Sequence, residues 1–212
     1  MIKGSIEQQF GSQDFVLSKR EPCYDGFFKL DRYHFKHKRF NGTWSREIER
    51  EIFIRSNATC VLPYDPVEGT VVLLEQFRAP VIGQNQSPWL IELVAGMNEE
   101  GETPENVATR EAKEEADLEL LELEPIMEYL VSPGGSTEKV YLYCAKVDSI
   151  GVGGIHGLED ENEDIKVHVV KLASAIDMLN SGLINNAAAI ISLQWLLLNK
   201  TQLDAKWTPQ II

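Results

Sequence analysis

Three things are scarce in this chain of 212 residues. Cysteine is the first: Cys23, Cys60 and Cys144 are odd in number and widely spaced, which argues against a disulfide frame or a cysteine zinc site. They fit thiols kept in a reducing cytoplasm. Long apolar runs are the second. No run approaches the roughly 18 residues of a membrane helix, and the N-terminus lacks a signal-peptide pattern. Positive charge is the third: 20 Lys and Arg face 33 Asp and Glu, for a net charge of −13. That balance argues against nonspecific nucleic-acid binding. It also disfavours a phosphorylated substrate, unless cations and a local arginine cluster offset the field. What remains is ordinary for a soluble globular protein of one domain plus an appendage, with 43% hydrophobic and 25% charged residues.

The chain is organised around Gly96 to Leu118. Thr103 supplies an N-cap acceptor and Pro104 the preset φ of a first helical position. Glu105 in the first turn suits the helix dipole. The spacing therefore predicts a helix from Pro104 to about Ala116. Val107, Ala108, Ala112 and Ala116 make one small-residue face that can pack closely. Glu111, Glu114 and Glu115 leave another side at neighbouring heights, where like charges repel. Taken alone they are either a solvated acidic face or a site for a hard cation whose shell substrate phosphates complete.

Before this stretch the chain reads as β-structure. Phe15 to Leu17 and Gly26 to Phe35 are β-prone, Asn41-Gly42 is a hairpin signal, and Ser45 to Ile54 alternates as a returning strand. Arg32, Lys36, Lys38 and Arg39 read as a solvated basic strand face. His34 and His37 lack a third ligand to make a metal site. Thr59 to Tyr64 and Thr70 to Phe77 are apolar strands, and Trp89 to Val94 is a strand running straight into Gly96. After the helix come strands over Pro125 to Val131, Lys139 to Val147 and Ile165 to Val170. Helices over Leu172 to Asn180 and Ala187 to Asn199 close the chain. Strands followed by terminal helices predict an α+β layer fold. Between them, the glycine-rich run Gly151 to Gly157 leads into the acidic cluster Glu159 to Asp164. That cluster is either a solvated loop or the carrier of a movable general base.

Gly96, Glu102, Arg110-Glu111 and Glu114-Glu115 fall at the spacing of the Nudix box, a glycine, five residues, a glutamate, seven residues, then R-E-U-x-E-E-x-G-U. The chain departs from it at Asp117, where the family has glycine past the helix end. Asp tolerates the left-handed conformation, so the expected cost is about 1 kcal/mol or less. Pro133, 16 residues beyond Asp117, resembles the ADP-ribose pyrophosphatase branch. So do Gly26-Phe27-Phe28, Arg50-Glu51-Ile52, Glu75-Gln76-Phe77-Arg78, Glu92 to Met97, Ser132 to Gly135, Glu161 to Asp164 and Asn185-Asn186-Ala187. The resemblance spans about residues 24 to 207.

That resemblance implies a Nudix α/β/α sandwich around a mixed sheet over residues 57–212. A small antiparallel β domain over residues 1–56 precedes it, exchanged with a second subunit in a homodimer. It places metal ions on the Ala95 carbonyl and the carboxylates of Glu111, Glu115 and Glu163. The general base falls on Glu161, and Arg110 and Glu102 orient the carboxylates. Phe27 and Phe28 contact adenine, and Arg50, Glu51, Arg55 and Arg78 surround the nucleotide and phosphates. Met97, Ser132, Pro133, Gly134 and Glu138 line the rest. The implied activity is Mg²⁺-dependent hydrolysis of ADP-ribose to AMP and ribose 5-phosphate, with Mn²⁺ as the alternative cation. The rivals are the same chemistry on another nucleotide sugar, such as GDP-mannose, and a Nudix module that senses ADP-ribose without cleaving it. The expected partner is the small nucleotide sugar, with no nucleic acid and no membrane, in the cytoplasm.

Overall fold

The computed structural model describes residues 4–158 and 162–208. The chain divides into two compact units: Met1–Arg55 with Leu130–Glu138, and Ser56–Tyr129 with Lys139–Ile212. The first unit runs to Arg55 and also takes in the segment after Tyr129. Backbone hydrogen bonds tie that segment in: Phe53 N–H donates to the Gly135 carbonyl (2.8 Å), and Thr137 N–H to the Phe53 carbonyl (3.1 Å).

The first unit is a three-stranded antiparallel sheet, β1 (Phe15–Asp25), β2 (Lys29–His37) and β3 (Ile48–Ile54), in that order. The returning strand starts at Ile48, not Ser45. Ser45 instead closes the connection, where its N–H donates to the His37 carbonyl at 2.8 Å and its hydroxyl accepts from the His37 N–H at 3.1 Å. Gly42 has φ +84 and supplies the left-handed residue of the turn. β1 has two register shifts, at Leu17/Lys19 and Pro22/Tyr24. Both fit an edge strand that carries a proline.

In the second unit the central strands are β4 (Ala58–Asp65) and β5 (Thr70–Phe77). They pair only at Tyr64–Val71 and Asp65–Thr70, then splay apart. Two short strands fill the fork: β6 (Trp89–Glu92) pairs with β5, and β7 (Val94–Met97) pairs with β4. The single strand expected over Trp89 to Val94 is therefore broken, at the buried Leu93, because its halves serve different neighbours. The remaining strands are β8 (Glu122–Leu130), β9 (Lys139–Lys146), β10 (Gly154–His156) and β11 (Ile165–Lys171). They complete the order β10-β11-β5-β4-β9-β8, with β4 and β9 parallel. β10 was not visible in the glycine-rich run, because its strand character comes from pairing with β11.

Three helices complete this unit: α1 (Pro104–Ala116), α2 (Leu172–Ser181) and α3 (Ala187–Trp207). Alternation along β4 sorts two cores. Cys60, Leu62 and Tyr64 face one side, with Leu193, Leu196 and Trp207 of α3. Val61 faces the other, with Ala108, Ala112 and Ala116 of α1. A mixed sheet with helices over both faces is the expected α/β/α sandwich. α3 runs past Asn199 to Trp207, where buried Leu203 and Trp207 continue its apolar face. No helix among the described residues is long and apolar enough to cross a membrane.

Candidate active site

α1 begins and ends as its sequence requires. The Thr103 hydroxyl accepts from the Asn106 N–H at 3.3 Å, and Pro104 is the first helical residue. At the other end Asp117 adopts φ 50 and ψ 35. The Asp117 N–H then reaches the Lys113 carbonyl (3.1 Å) and the Leu118 N–H the Ala112 carbonyl (2.9 Å), with Leu118 buried against the helix. Asp117 thus does the conformational work of a glycine cap and pairs with Lys113 one turn back.

This framing fixes the direction in which the helix carboxylates point. Glu111 lies directly on the backbone of β7: a Cβ built on Gly96 would meet its Oε1 at 1.6 Å and its Cδ at 2.0 Å. Any side chain there would force Glu111 to shift. One turn on, Glu115 is 3% exposed, and its Oε2 accepts the Ala95 N–H at 2.8 Å. Arg110 binds the neighbouring acids from one guanidinium. It clasps both oxygens of Glu102 at 3.2 Å, and its Nη1 donates to Glu111 (2.7 Å) and Glu114 (3.1 Å). The phenol of Tyr143 on β9 donates to Glu105 at 2.8 Å.

The electrostatics follow from that packing. Burial foremost, with the negative charges of Glu111 and Glu163 acting in the same direction, pushes the Glu115 carboxyl up to about 8. The Ala95 N–H and the charge of Arg78 oppose the rise. Glu111 is also raised, first by burial, with Arg110 pulling the other way and Glu114 and Glu163 adding repulsion. Glu102, bound by Arg110, is held below the usual carboxylate range.

Three carboxylates that repel one another, one of them deeply buried, form a place where a cation would relieve strain. Among the described residues no three His, Cys, Asp or Glu side chains are close enough to enclose an ion. Mg²⁺ does not demand such a cage: it is usually held by one or two carboxylates, waters and substrate phosphates. The oxygen-only donor set fits a hard divalent cation.

A model of the NUDIX domain matches residues 54–192. The chain belongs to the Nudix family. It is similar to the ADP-ribose pyrophosphatase of Escherichia coli (strain K12), at 48% identity over 198 residues, 93% of this chain and 95% of that one. The ADP-ribose pyrophosphatase of Haemophilus influenzae is 46% identical over 203 residues, 94% of each chain. A GDP-mannose pyrophosphatase of Pectobacterium atrosepticum is 35% identical over 185 residues, 86% of this chain and 94% of that one. The crystal structure of an ADP compounds hydrolase shares the fold, with a TM-score of 0.68 at 20% identity over 94% of this chain and 100% of that one.

Within the Nudix unit, Ala95, Gly96, Glu111 and Glu115 come together, and the charge of Glu163 acts on both helix carboxylates. Glu163 is placed by Gly157, which has φ +104; a Cβ there would lie 2.7 Å from that of Glu163. The Leu158 N–H points at the Glu163 Oε2 at 3.4 Å. Glu161, the expected base, lies outside the described residues. Arg78 pairs with Glu92 at 2.7 Å, and Met97 is exposed.

The other expected substrate contacts lie in the first unit. Phe27 and Phe28 stand edge to face at 4.9 Å, both exposed. Arg55 lies 4.9 Å over the Phe28 ring and pairs with Glu138 at 3.2 Å. Glu51 accepts from Arg32 at 3.1 Å, and Arg50 donates to the Glu49 carbonyl at 2.7 Å. Ser132, Pro133 and Gly134 form a turn closed by two bonds to the Ser132 carbonyl. His34 pairs with Glu21, and His37 bonds the Lys38 carbonyl. Sequence reasoning missed two supports, Tyr143 and Gly157. Tyr143 gave no signal beyond its place in a strand. Gly157 ends the glycine run next to the acidic cluster, which is where a close backbone approach would be sought.

Proposed function

We propose that this chain is an ADP-ribose pyrophosphatase. It adds water to the diphosphate of ADP-ribose and releases AMP and ribose 5-phosphate. The observation that carries this reading is 48% identity over 93% of the chain to a protein of that name, against 35% for a GDP-mannose pyrophosphatase.

The Ala95 carbonyl, Glu111, Glu115 and Glu163 would hold the divalent cation, with Mg²⁺ as the working ion and Mn²⁺ as the alternative. When bound there, such an ion would supply charge neutralisation at the phosphate oxygens and a lowered pKa for the attacking water. Arg110 keeps Glu111 and Glu114 aimed by hydrogen bonds. The Ala95 N–H fixes one oxygen of Glu115, leaving the other for the cation. Glu161 takes the proton of the attacking water. The water oxygen forms the new bond to phosphorus, and the bridging P–O bond breaks. Phe27 and Phe28 offer aromatic faces to adenine, and Arg50, Glu51, Arg55 and Arg78 meet the nucleotide and its phosphates. Met97, Ser132, Pro133, Gly134 and Glu138 complete the contacts.

Residues 1–56 serve as the dimerisation domain. The exposed Phe15, Val16, Leu17 and Tyr24 on β1 support a homodimer. Three cysteines outside any disulfide support a reducing cytoplasm. A panel of ADP-ribose, GDP-mannose and other nucleoside diphosphate sugars, read by phosphate release after phosphatase treatment, tests the substrate. Faster turnover of GDP-mannose overturns the reading. Light scattering after size exclusion tests the dimer, and a monomer contradicts it.

A further inference from the structure

The arginines of this acidic chain divide into two groups. Arg20, Arg32, Arg55, Arg78 and Arg110 each have a carboxylate partner. Arg39, Arg46 and Arg50 have none among the described residues, and all three line one cavity of about 480 Å³ in the first unit. In a protein of net charge −13, three guanidinium groups thus stand together without a carboxylate partner among the described residues.

The cavity wall also carries Glu47 and Glu49, but these acids have other partners. Glu47 accepts from the Ser18 hydroxyl at 2.7 Å, and Glu49 lies 3.5 Å from the His34 ring. His34 is opposite Glu49 and Arg50 is opposite Tyr33, so along β3 the two side chains leave on opposite sides, although both line the cavity. The backbone beside the arginines is open too. β3 is an edge strand of this sheet, and among the described residues the backbone bonds from the segment after Tyr129 reach it at Phe53 and Arg55. His37 also lines the wall.

We propose that this cavity binds a small phosphate-bearing anion, apart from the helix carboxylates. A planar guanidinium presents two parallel donors that match two phosphate oxygens. Three of them around a space of this size suit an inorganic phosphate, a pyrophosphate or a nucleoside monophosphate. The site needs no divalent cation. It is thereby separable from the proposed hydrolysis, whose chemistry depends on one. Arg50 also belongs to the proposed nucleotide contacts, so Arg39 and Arg46 carry the test.

The test is calorimetric titration of the full chain with inorganic pyrophosphate, and in parallel with AMP, in excess EDTA. Binding of either probe is expected, and the tighter one identifies whether the anion is inorganic or carried on a nucleoside. Glu111→Gln is expected to bind as the unaltered chain does. The pair Arg39→Gln with Arg46→Gln is expected to lose at least tenfold in affinity. If that pair does not fold, Arg46→Lys, which keeps the charge but loses the fork, replaces it with a severalfold loss expected. Absence of binding by both probes overturns the proposal. So does undiminished affinity in the folded arginine variant, or loss in Glu111→Gln.

Discussion

Gly96 and Glu111 occupy one another's space: the carboxylate of Glu111 sits where a side chain at Gly96 would begin, 1.6 Å from its Cβ position. A helix glutamate is thereby pressed flat against a strand backbone. The glycine that opens the motif is present for room, not for an unusual backbone angle. Gly96→Ala must move Glu111 or the helix. The expected result is a loss of about 10² or more in kcat, in line with displacement of a group by about 1 Å. Circular dichroism should show the secondary structure retained. Near-normal turnover of Gly96→Ala would remove Glu111 from the reaction.

Glu115 gives a pH dependence whose sign can be worked out. Its pKa is raised from 4.5 to about 8 in the folded metal-free chain, mainly by burial. Between those values the folded state holds a proton that the unfolded state has released. Stability is therefore full below about 4.5 and falls as pH rises towards about 8. Thermal unfolding in EDTA between pH 5 and 8, flanked by Glu115→Gln, checks this. The variant should show a flatter profile across that window, because the amide does not titrate. Equal slopes would mean that Glu115 is solvated.

The same substitution separates binding from folding. Glu115→Gln should lose divalent-cation binding and most of kcat while its melting temperature stays near or above that of the unaltered chain in EDTA. A cation titration followed by calorimetry reads the first effect directly. Unchanged cation affinity would move the ligand set elsewhere.

Glu161→Gln should behave differently from Glu115→Gln. The proposed base is absent, but the cation ligands remain, so the expected loss is about 10²–10⁴ in rate with cation affinity retained. Single-turnover measurements at saturating cation distinguish the two. A near-normal rate would place the base on another residue.

Asp117→Gly should raise stability. Asp pays for its left-handed backbone at φ 50, whereas glycine does not, and the exposed pair with Lys113 that would be lost contributes little. The expected net gain is about 0.5 kcal/mol, a shift of one or two degrees in melting temperature. Asp117→Val should lower it. Identical melting temperatures for both would show that the helix end is not restrained at this residue.

The parts of the molecule that could be read from the sequence were those whose causes are local. Thr103, Pro104 and the residue after Ala116 fixed both ends of α1, because caps act over one turn. The carboxylate spacing along that helix was likewise readable, and Glu111 and Glu115 do converge on β7. What could not be read depends on distant partners. The break at Leu93 exists because β4 and β5 splay and claim different halves of the segment. β10 exists because β11 pairs with it. The segment Leu130–Glu138 joins the first unit through hydrogen bonds to Phe53, some eighty residues earlier. That Arg39, Arg46 and Arg50 have no carboxylate partner among the described residues was hidden for the same reason: which acids come near them is decided by the fold.

The most direct measurement is incubation of the purified chain with ADP-ribose and Mg²⁺, following AMP by chromatography, with a parallel EDTA arm. Formation of AMP and ribose 5-phosphate in equal amounts, abolished by EDTA and by Glu115→Gln, is the predicted result. AMP formation that continues at full rate in EDTA would contradict the account, as would an intact substrate in the Mg²⁺ arm.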